Sequence, residues 1–273
     1  MVFVREKKIT CGDYMEVDII PRTLEAERVI RRGTRSKKEK ISAPKQQNLN
    51  QKNAKRYLVE LGNGNFGKGD LHVTLTYSNE FRPETIEEAE KEVTNYLRRV
   101  AYRRKKLGLS ALKYILVSEY RVNDDGEFTT KIHHHIIMNG DETNRLTRDD
   151  IEQLWSKRVK GKGKQQLGWA DADRLQPNEN GIEALLTYLS KDPKGKKRWS
   201  SSRNLVRPFQ RKNDFKYSNR KIEQLAKTPD QGLEYFQQKY SKYRIASVEF
   251  KYYDRTGWHA YLKLWKVIKR DRK

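Results

Sequence analysis

Hydrophobic and polar positions along the chain change period several times, and each change marks an element. Met15-Glu-Val-Asp-Ile-Ile20 reads as a short strand and runs into a basic stretch, Arg31 to Lys40, which we expect to be a partly ordered arm. Pro44 to Leu61 is polar, amide-rich and helical in character, and Gly62 to Asp70 is a Gly-rich turn. Leu71-His-Val-Thr-Leu-Thr-Tyr77, β-branched and aromatic, predicts a strand. Glu84 to Lys106 instead carries Ile86, Ala89, Val93, Tyr96, Leu97 and Val100 at helical spacing, with acids early and bases late as the helix dipole prefers. Beyond Gly108 two strands are predicted, Leu112 to Glu119 and Lys131 to Met138, joined as a hairpin by a turn around Asn123-Asp-Asp-Gly126. Then come a helix from Thr147, its cap, to Arg158, a basic Gly-rich loop at Lys160 to Lys164, a strand at Leu167 to Asp173, and a helix from Asn178 to Lys191. Tyr243 to Val267 reads as a last hairpin turning at Asp254-Arg-Thr-Gly257.

The central order is β-α-β-β-α-β-α, and its first six elements predict a ferredoxin-like or RRM-like split βαβ unit. The fold class expected is therefore α+β, a central antiparallel sheet with helices on one face and basic extensions at both ends. The expected organisation is an N-terminal arm and helical segment over 1–61, a core with a basic extension over 62–221, and a helix and β-hairpin over 222–273.

Composition narrows the partner. Of 273 residues, 59 are Lys or Arg and 36 are Asp or Glu, for a formal net charge of +23. Such an excess calls for a polyanion, and nucleic acid leads. No stretch approaches the ~18 apolar residues of a membrane span, and the start, MVFVREKKIT, lacks the apolar core of a signal peptide. Neither membrane insertion nor Sec-type export is expected, and a cytoplasmic location follows. Cys11 is the only cysteine, which leaves no disulfide framework and no Cys-based zinc site. The cations concentrate between Lys191 and Lys221, among them Lys194, Lys196, Lys197, Arg198, Arg203 and Arg207, interleaved with Trp199, Phe209, Phe215 and Tyr217.

Three of five histidines, His133, His134 and His135, sit together in a predicted strand. Alternation puts His133 and His135 on one face, about 7 Å apart, and His134 on the other. The pair can share a divalent ion, or it can be a polar patch on a half-exposed strand. Glu119, ending the partner strand, favours the ion by completing a His-His-carboxylate set with open positions. These donors suit Mn²⁺ or Zn²⁺, and Mg²⁺ where substrate phosphate adds oxygens. Tyr188, on the last helix of the run, either covers the edge of a helix-sheet interface or is a nucleophile. Lys191 lies three residues on, where an ammonium favours a phenolate or binds phosphate. The loop Gly62-Asn-Gly-Asn-Phe-Gly-Lys-Gly69 nearly matches a phosphate-binding P-loop, but it ends in Gly69 where Ser or Thr is required and leads into a strand, so no ATP is expected.

The ordered set of Thr74-Leu-Thr-Tyr77, Glu119, His-x-His followed by apolar residues, and Tyr-x-x-Lys resembles the HUH endonuclease superfamily. More narrowly it resembles the single-tyrosine rolling-circle replication initiators of small phages, plasmids and single-stranded DNA viruses. Arg198-Trp-Ser-Ser-Ser-Arg-Asn-Leu-Val-Arg-Pro208 is similar to a segment of bacterial and microvirus-type replication proteins. The likeness covers about half the chain, Asn63 to Pro208. It implies that Thr74 and Thr76 support the site and the DNA, that His133, His135 and Glu119 bind Mg²⁺ or Mn²⁺, that Tyr188 attacks a DNA phosphate, and that Lys191 assists. The implied reaction nicks one strand, leaves a 5′-phosphotyrosine and a 3′-hydroxyl that primes synthesis, and later rejoins the strand. Implied partners are single-stranded DNA, a double-stranded origin, a separate helicase and a host polymerase. Two departures stand out. The Glu119 to His133 loop is longer than in many viral relatives, and the middle residue is itself His134, which leaves open a register with His134 as ligand. The alternative from another class is a non-catalytic RRM-like nucleic-acid-binding protein that stacks bases on aromatics.

Overall fold

The computed structural model describes residues 2–25, 27, 44–121, 123, 128–190 and 199–267, with the backbone alone at 44–46. The basic arm expected at Arg31 to Lys40 and all but Asn123 of the expected Asn123 to Gly126 turn lie outside the described residues. The first elements are β1 (Val2–Cys11), β2 (Tyr14–Thr23), α1 (Pro44–Asn63), β3 (Leu71–Leu75), α2 (Ile86–Lys106), β4 (Tyr114–Glu119) and β5 (His133–Met138). Next are α3 (Arg148–Gln153), β6 (Ser156–Val159), β7 (Gly163–Gln166), β8 (Ala170–Arg174), α4 (Glu183–Leu189) and β9 (Trp199–Ser201). The chain finishes with β10 (Phe209–Asn213), α5 (Asn219–Ala226), α6 (Leu233–Lys239), β11 (Tyr243–Tyr253) and β12 (Gly257–Lys266). The fold is α+β with antiparallel sheets, in two compact units: Phe66–Leu205, and Met1–Asn65 with Val206–Lys273. Among the described residues no helix is long and apolar enough to cross a membrane.

In the unit Phe66–Leu205 the sheet order is β8-β3-β5-β4-β9, every neighbour antiparallel. Helix α2 forms because Thr85 caps it, accepting from the Glu88 N–H at 3.2 Å, and because Glu87 and Glu88 open it while Arg103 to Lys106 close it. Its buried stripe, Ala89, Val93, Tyr96, Leu97 and Val100, packs with Ile151 and Trp155 against Leu71, Val73, Leu75, Leu116, Ile136 and Met138 of the sheet. Two expected helices are shorter than their sequence patterns. The helix expected to reach Arg158 ends at Gln153, because Ser156–Val159 pairs with Gly163–Gln166 in a hairpin whose turn uses Gly161 and Gly163 at positive φ. The helix expected from Asn178 begins at Glu183, because Asn178 and Gly181, at φ 72°, close a turn first. Hairpin β6-β7 is thus inserted between α3 and β8.

His134 belongs to this core. It is fully buried, its Nδ1 lies 2.8 Å from Ser118 Oγ, and its Nε2 lies 3.0 Å from the Tyr77 hydroxyl. Burial, and secondarily the neighbouring histidines, pushes its pKa down to about 3.

The other unit is built on the sheet β10-β1-β2-β12-β11. No strand is expected before Met15, yet β1 pairs with β2 along its whole length, from Val2↔Thr23 to Cys11↔Tyr14, and β12 pairs with β2 from Ala260↔Ile19 to Trp265↔Tyr14. Segments expected as separate extensions, at 1–61 and 222–273, therefore share one sheet. Val4, Met15, Val17, Ile19, Leu262 and Leu264 pack on one face against Ile222 and Leu225 of α5 and Phe236 of α6. On the opposite face, by strand alternation, Glu16 and Asp18 meet α1 through Arg56. Its guanidinium donates to Glu16 Oε2 at 2.7 Å and to both Asp18 oxygens at 2.7 and 2.8 Å, and lies 3.1 Å from Glu60. Burial, then the charge of Glu16, pushes Glu60 up to about 7.

Both buried polar sites lead to measurable outcomes. Arg56→Met leaves three buried carboxylates without their cation and should destabilise this unit by about 3–5 kcal/mol, seen as faster hydrogen exchange at the β2 amides, with Arg56→Lys recovering part. His134 stays neutral when folded, whereas the unfolded chain protonates it near pH 6.5. Below that pH the unfolded state binds more protons, so stability should fall between pH 6.5 and about 3, by up to ~1.4 kcal/mol per pH unit from this residue. Urea denaturation with EDTA at pH 7, 6, 5 and 4 should show this slope, and His134→Gln should flatten it.

Candidate metal centre

Partners across a ladder point to the same face of a sheet. Val73, Ile136 and Ala172 are mutual partners on the helix side, so the pairs Thr74↔His135, Val117↔His135, Glu119↔His133 and Thr74↔Asp171 lie on the other. The centre is thus assembled from three adjacent strands, β3, β5 and β4. One ligand atom from each of Glu119, His133 and His135 lies within 4.8 Å of the others. Glu119 Oε2 is 3.4 Å from His133 Nε2 and 3.8 Å from His135 Nε2.

The remaining contacts of the two rings select the nitrogen presented to Glu119. His133 Nδ1 lies 3.2 Å from the Lys131 carbonyl, which can only accept, so Nδ1 carries the proton and the lone pair of the neutral ring is on Nε2. His135 Nδ1 is engaged by Thr74 Oγ1 at 3.3 Å and His72 Nε2 at 3.2 Å, while its Nε2 is buried with no hydrogen-bond partner among the described residues. Burial, with the charges of His72 and His133 adding to it, pushes His135 down to about 4, which favours the neutral ring. Two imidazole nitrogens and a carboxylate oxygen facing one point fit a divalent cation, with the Nδ1 contacts fixing ring orientation.

The expected residues fall in different places. Glu119, His133, His135 and Thr74 come together as described. His134 faces the core, which removes the register in which it would be a ligand. Thr76 Oγ1 donates to the Trp169 carbonyl at 3.1 Å, beside a Trp169 side chain that is itself exposed. Tyr188 stands on α4 with its side chain 52% exposed, while Leu186 and Leu189 of the same helix are buried. Arg203 and Arg207 are exposed, the first in the unit Phe66–Leu205 and the second in the other. Lys191, Lys194, Lys196, Lys197 and Arg198 lie outside the described residues.

His72 was not singled out from the sequence, yet its ring stacks on His135 with centroids 5.3 Å apart. Asp171 and Asp173 share this face, paired to Thr74 and His72. The signal available was period-two alternation on β3, which aligns His72 with Thr74.

Residues 70–193 match a family model of replication-associated proteins, the ORF2 group. The matched stretch lies within the unit Phe66–Leu205, spans β3 to α4 and covers just under half of the chain. No curated protein and no solved structure matches the chain. The segment that holds the His-His-Glu cluster is therefore similar to replication-associated proteins, a match that supports a replication-initiator family and a role in replication initiation.

Proposed function

We propose that the unit Phe66–Leu205 is a metal-dependent, site-specific endonuclease and strand transferase for single-stranded DNA that initiates rolling-circle replication, an HUH enzyme of the single-tyrosine type. The convergence of Glu119, His133 and His135 carries this reading, because a protein that only binds nucleic acid has no need of it. The strand order β8-β3-β5-β4, with α2 and α3 against one face, supports the split βαβ core such enzymes are expected to have.

In this reading the Tyr188 hydroxyl gives up its proton and its oxygen attacks a DNA phosphorus. The bond from phosphorus to the 3′-oxygen breaks, that oxygen takes up a proton, and the 5′-phosphate stays on the tyrosine. The free 3′-hydroxyl primes synthesis, and a later attack by a 3′-hydroxyl on the phosphotyrosine rejoins the strand and frees Tyr188. A divalent ion, Mn²⁺ or Mg²⁺, bound by Glu119, His133 and His135 would polarise the phosphate and offset charge in the transition state. Lys191, three residues from Tyr188, would favour the phenolate. Thr74 and Thr76 would line the DNA, and Lys194, Lys196, Lys197, Arg198, Arg203 and Arg207 would hold its phosphates. Recognition of a double-stranded origin, unwinding by a separate helicase and extension by a host polymerase in the cytoplasm complete the reading.

The metal ligands are tested without activity. At about a hundredfold excess over its dissociation constant, Mn²⁺ should stabilise the protein by ~2.7 kcal/mol, read as a rise in melting temperature. His133→Ala should lose the rise while melting normally in EDTA. The nucleophile is tested by incubating the protein with origin-derived single-stranded DNA and Mn²⁺ or Mg²⁺. Wild type should form a covalent adduct that Tyr188→Phe does not. Equal adduct from the variant would move the nucleophile elsewhere, and no adduct from either, with salt-sensitive binding retained, would favour the RRM-like binding protein.

A further inference from the structure

In the unit Met1–Asn65, Val206–Lys273, the turn after β10 presents a phenylalanine to solvent from a backbone held on both sides. Phe215 is 96% exposed. Its own N–H donates to Asn213 Oδ1 at 2.9 Å. Just before it, Asp214 accepts two hydrogen bonds from Arg5, both at 2.7 Å, and Arg5 is tied in turn to Glu27 at 2.7 Å. Just after it, Lys216 Nζ reaches the buried Glu6 at 3.1 Å. Tyr217 is buried, its hydroxyl 3.0 Å from that of Tyr240, which itself donates to Glu6 at 2.6 Å. A large apolar ring is thus displayed in water on a clamped turn, which burial cannot explain and which leaves little ordering entropy to be lost when a ligand arrives.

The surroundings point to the ligand. β10 is an edge strand, and Phe209 within it is 60% exposed with the Arg211 guanidinium 5.5 Å from its ring centroid. From Val206 to Lys221 the sequence has six Lys and Arg against one acid, Asp214, which Arg5 already pairs. A protein partner calls for a contiguous apolar patch, whereas here two rings are separated by cations. Duplex DNA keeps its base faces stacked on one another. Single-stranded DNA alone offers both a free base face for each ring and phosphates for the cations.

We propose that Phe215 and Phe209 form a base-stacking platform for single-stranded DNA, with Arg211, Lys212 and Arg220 contacting phosphates. This rests on nucleic acid being the partner but needs neither the metal nor Tyr188, so it stands or falls apart from the nicking reading.

The test uses the full chain, a fluorescein-labelled 20-nucleotide oligo(dT) and fluorescence anisotropy in EDTA, where no cleavage occurs. Phe215→Ala should weaken binding about tenfold, the loss expected for one stacked base, and leave the slope of affinity against salt unchanged. Phe215→Trp should bind within about twofold of wild type, and Tyr188→Phe should match it. Lys212→Ala should lower the salt slope by about one. The circular dichroism of Phe215→Ala should equal that of wild type. Unchanged oligo(dT) affinity in Phe215→Ala would overturn the proposal. So would an equal loss on a 20-base-pair duplex, or a wild-type dimer in sedimentation that Phe215→Ala dissociates, since the ring would then serve another contact.

Discussion

The candidate site depends on how β5 pairs with β3 and β4. Because side chains alternate, a slip of one residue would send His133 and His135 into the core and expose His134. Two kinds of interaction oppose it. Ile136 and Met138 are buried against the stripe of α2, and His134 is bonded at both ring nitrogens, to Ser118 and Tyr77. A polar residue buried between two apolar neighbours is usually a liability, yet here its partners are satisfied only in one register. With that register set, Glu119 falls opposite His133, and Thr74 opposite His135, without further adjustment.

The same logic of buried polar groups governs the second unit with the charges reversed in importance. Glu6, Glu16, Asp18 and Glu60 are all buried, and their stability requires Arg56, Lys216, Lys8 and the hydroxyl of Tyr240. Some of the cationic excess is therefore structural. Arg104 of α2 is another such case, buried and donating to the carbonyls of Ser110 and Asn139 at 2.8 and 2.9 Å. The charge that remains outward, between Val206 and Lys221, accompanies exposed aromatic rings, as a grip on a nucleic acid strand requires.

Legibility in the sequence followed from how local each signal was. Helix α2 was read within two residues at its start, because cap, dipole and apolar stripe agree. The pairing of Glu119 with His133 was readable from the hairpin that joins their strands. Strand β1 was missed because Arg5-Glu-Lys-Lys8 breaks its apolar alternation, and those charges are neutralised only by residues more than two hundred positions away, Asp214, Lys216 and Tyr240. The hairpin β6-β7 was hidden because Ser156 to Val159 extends a helical pattern, and its pairing with Gly163 to Gln166 outweighs that local preference.

By itself the sequence determined the α+β class, the polyanionic partner, the central run of strands and helices, and the two histidines and glutamate able to hold a metal, since each rests on periodicity, charge or a short hairpin. Tertiary structure alone decided which nitrogen each histidine presents, that His72 stacks on His135, that the chain's two ends share a sheet, and that Phe215 stands in solvent on a clamped turn. The physical reason is common to all four: each depends on hydrogen bonds and ion pairs between residues far apart in the chain, which no local pattern records.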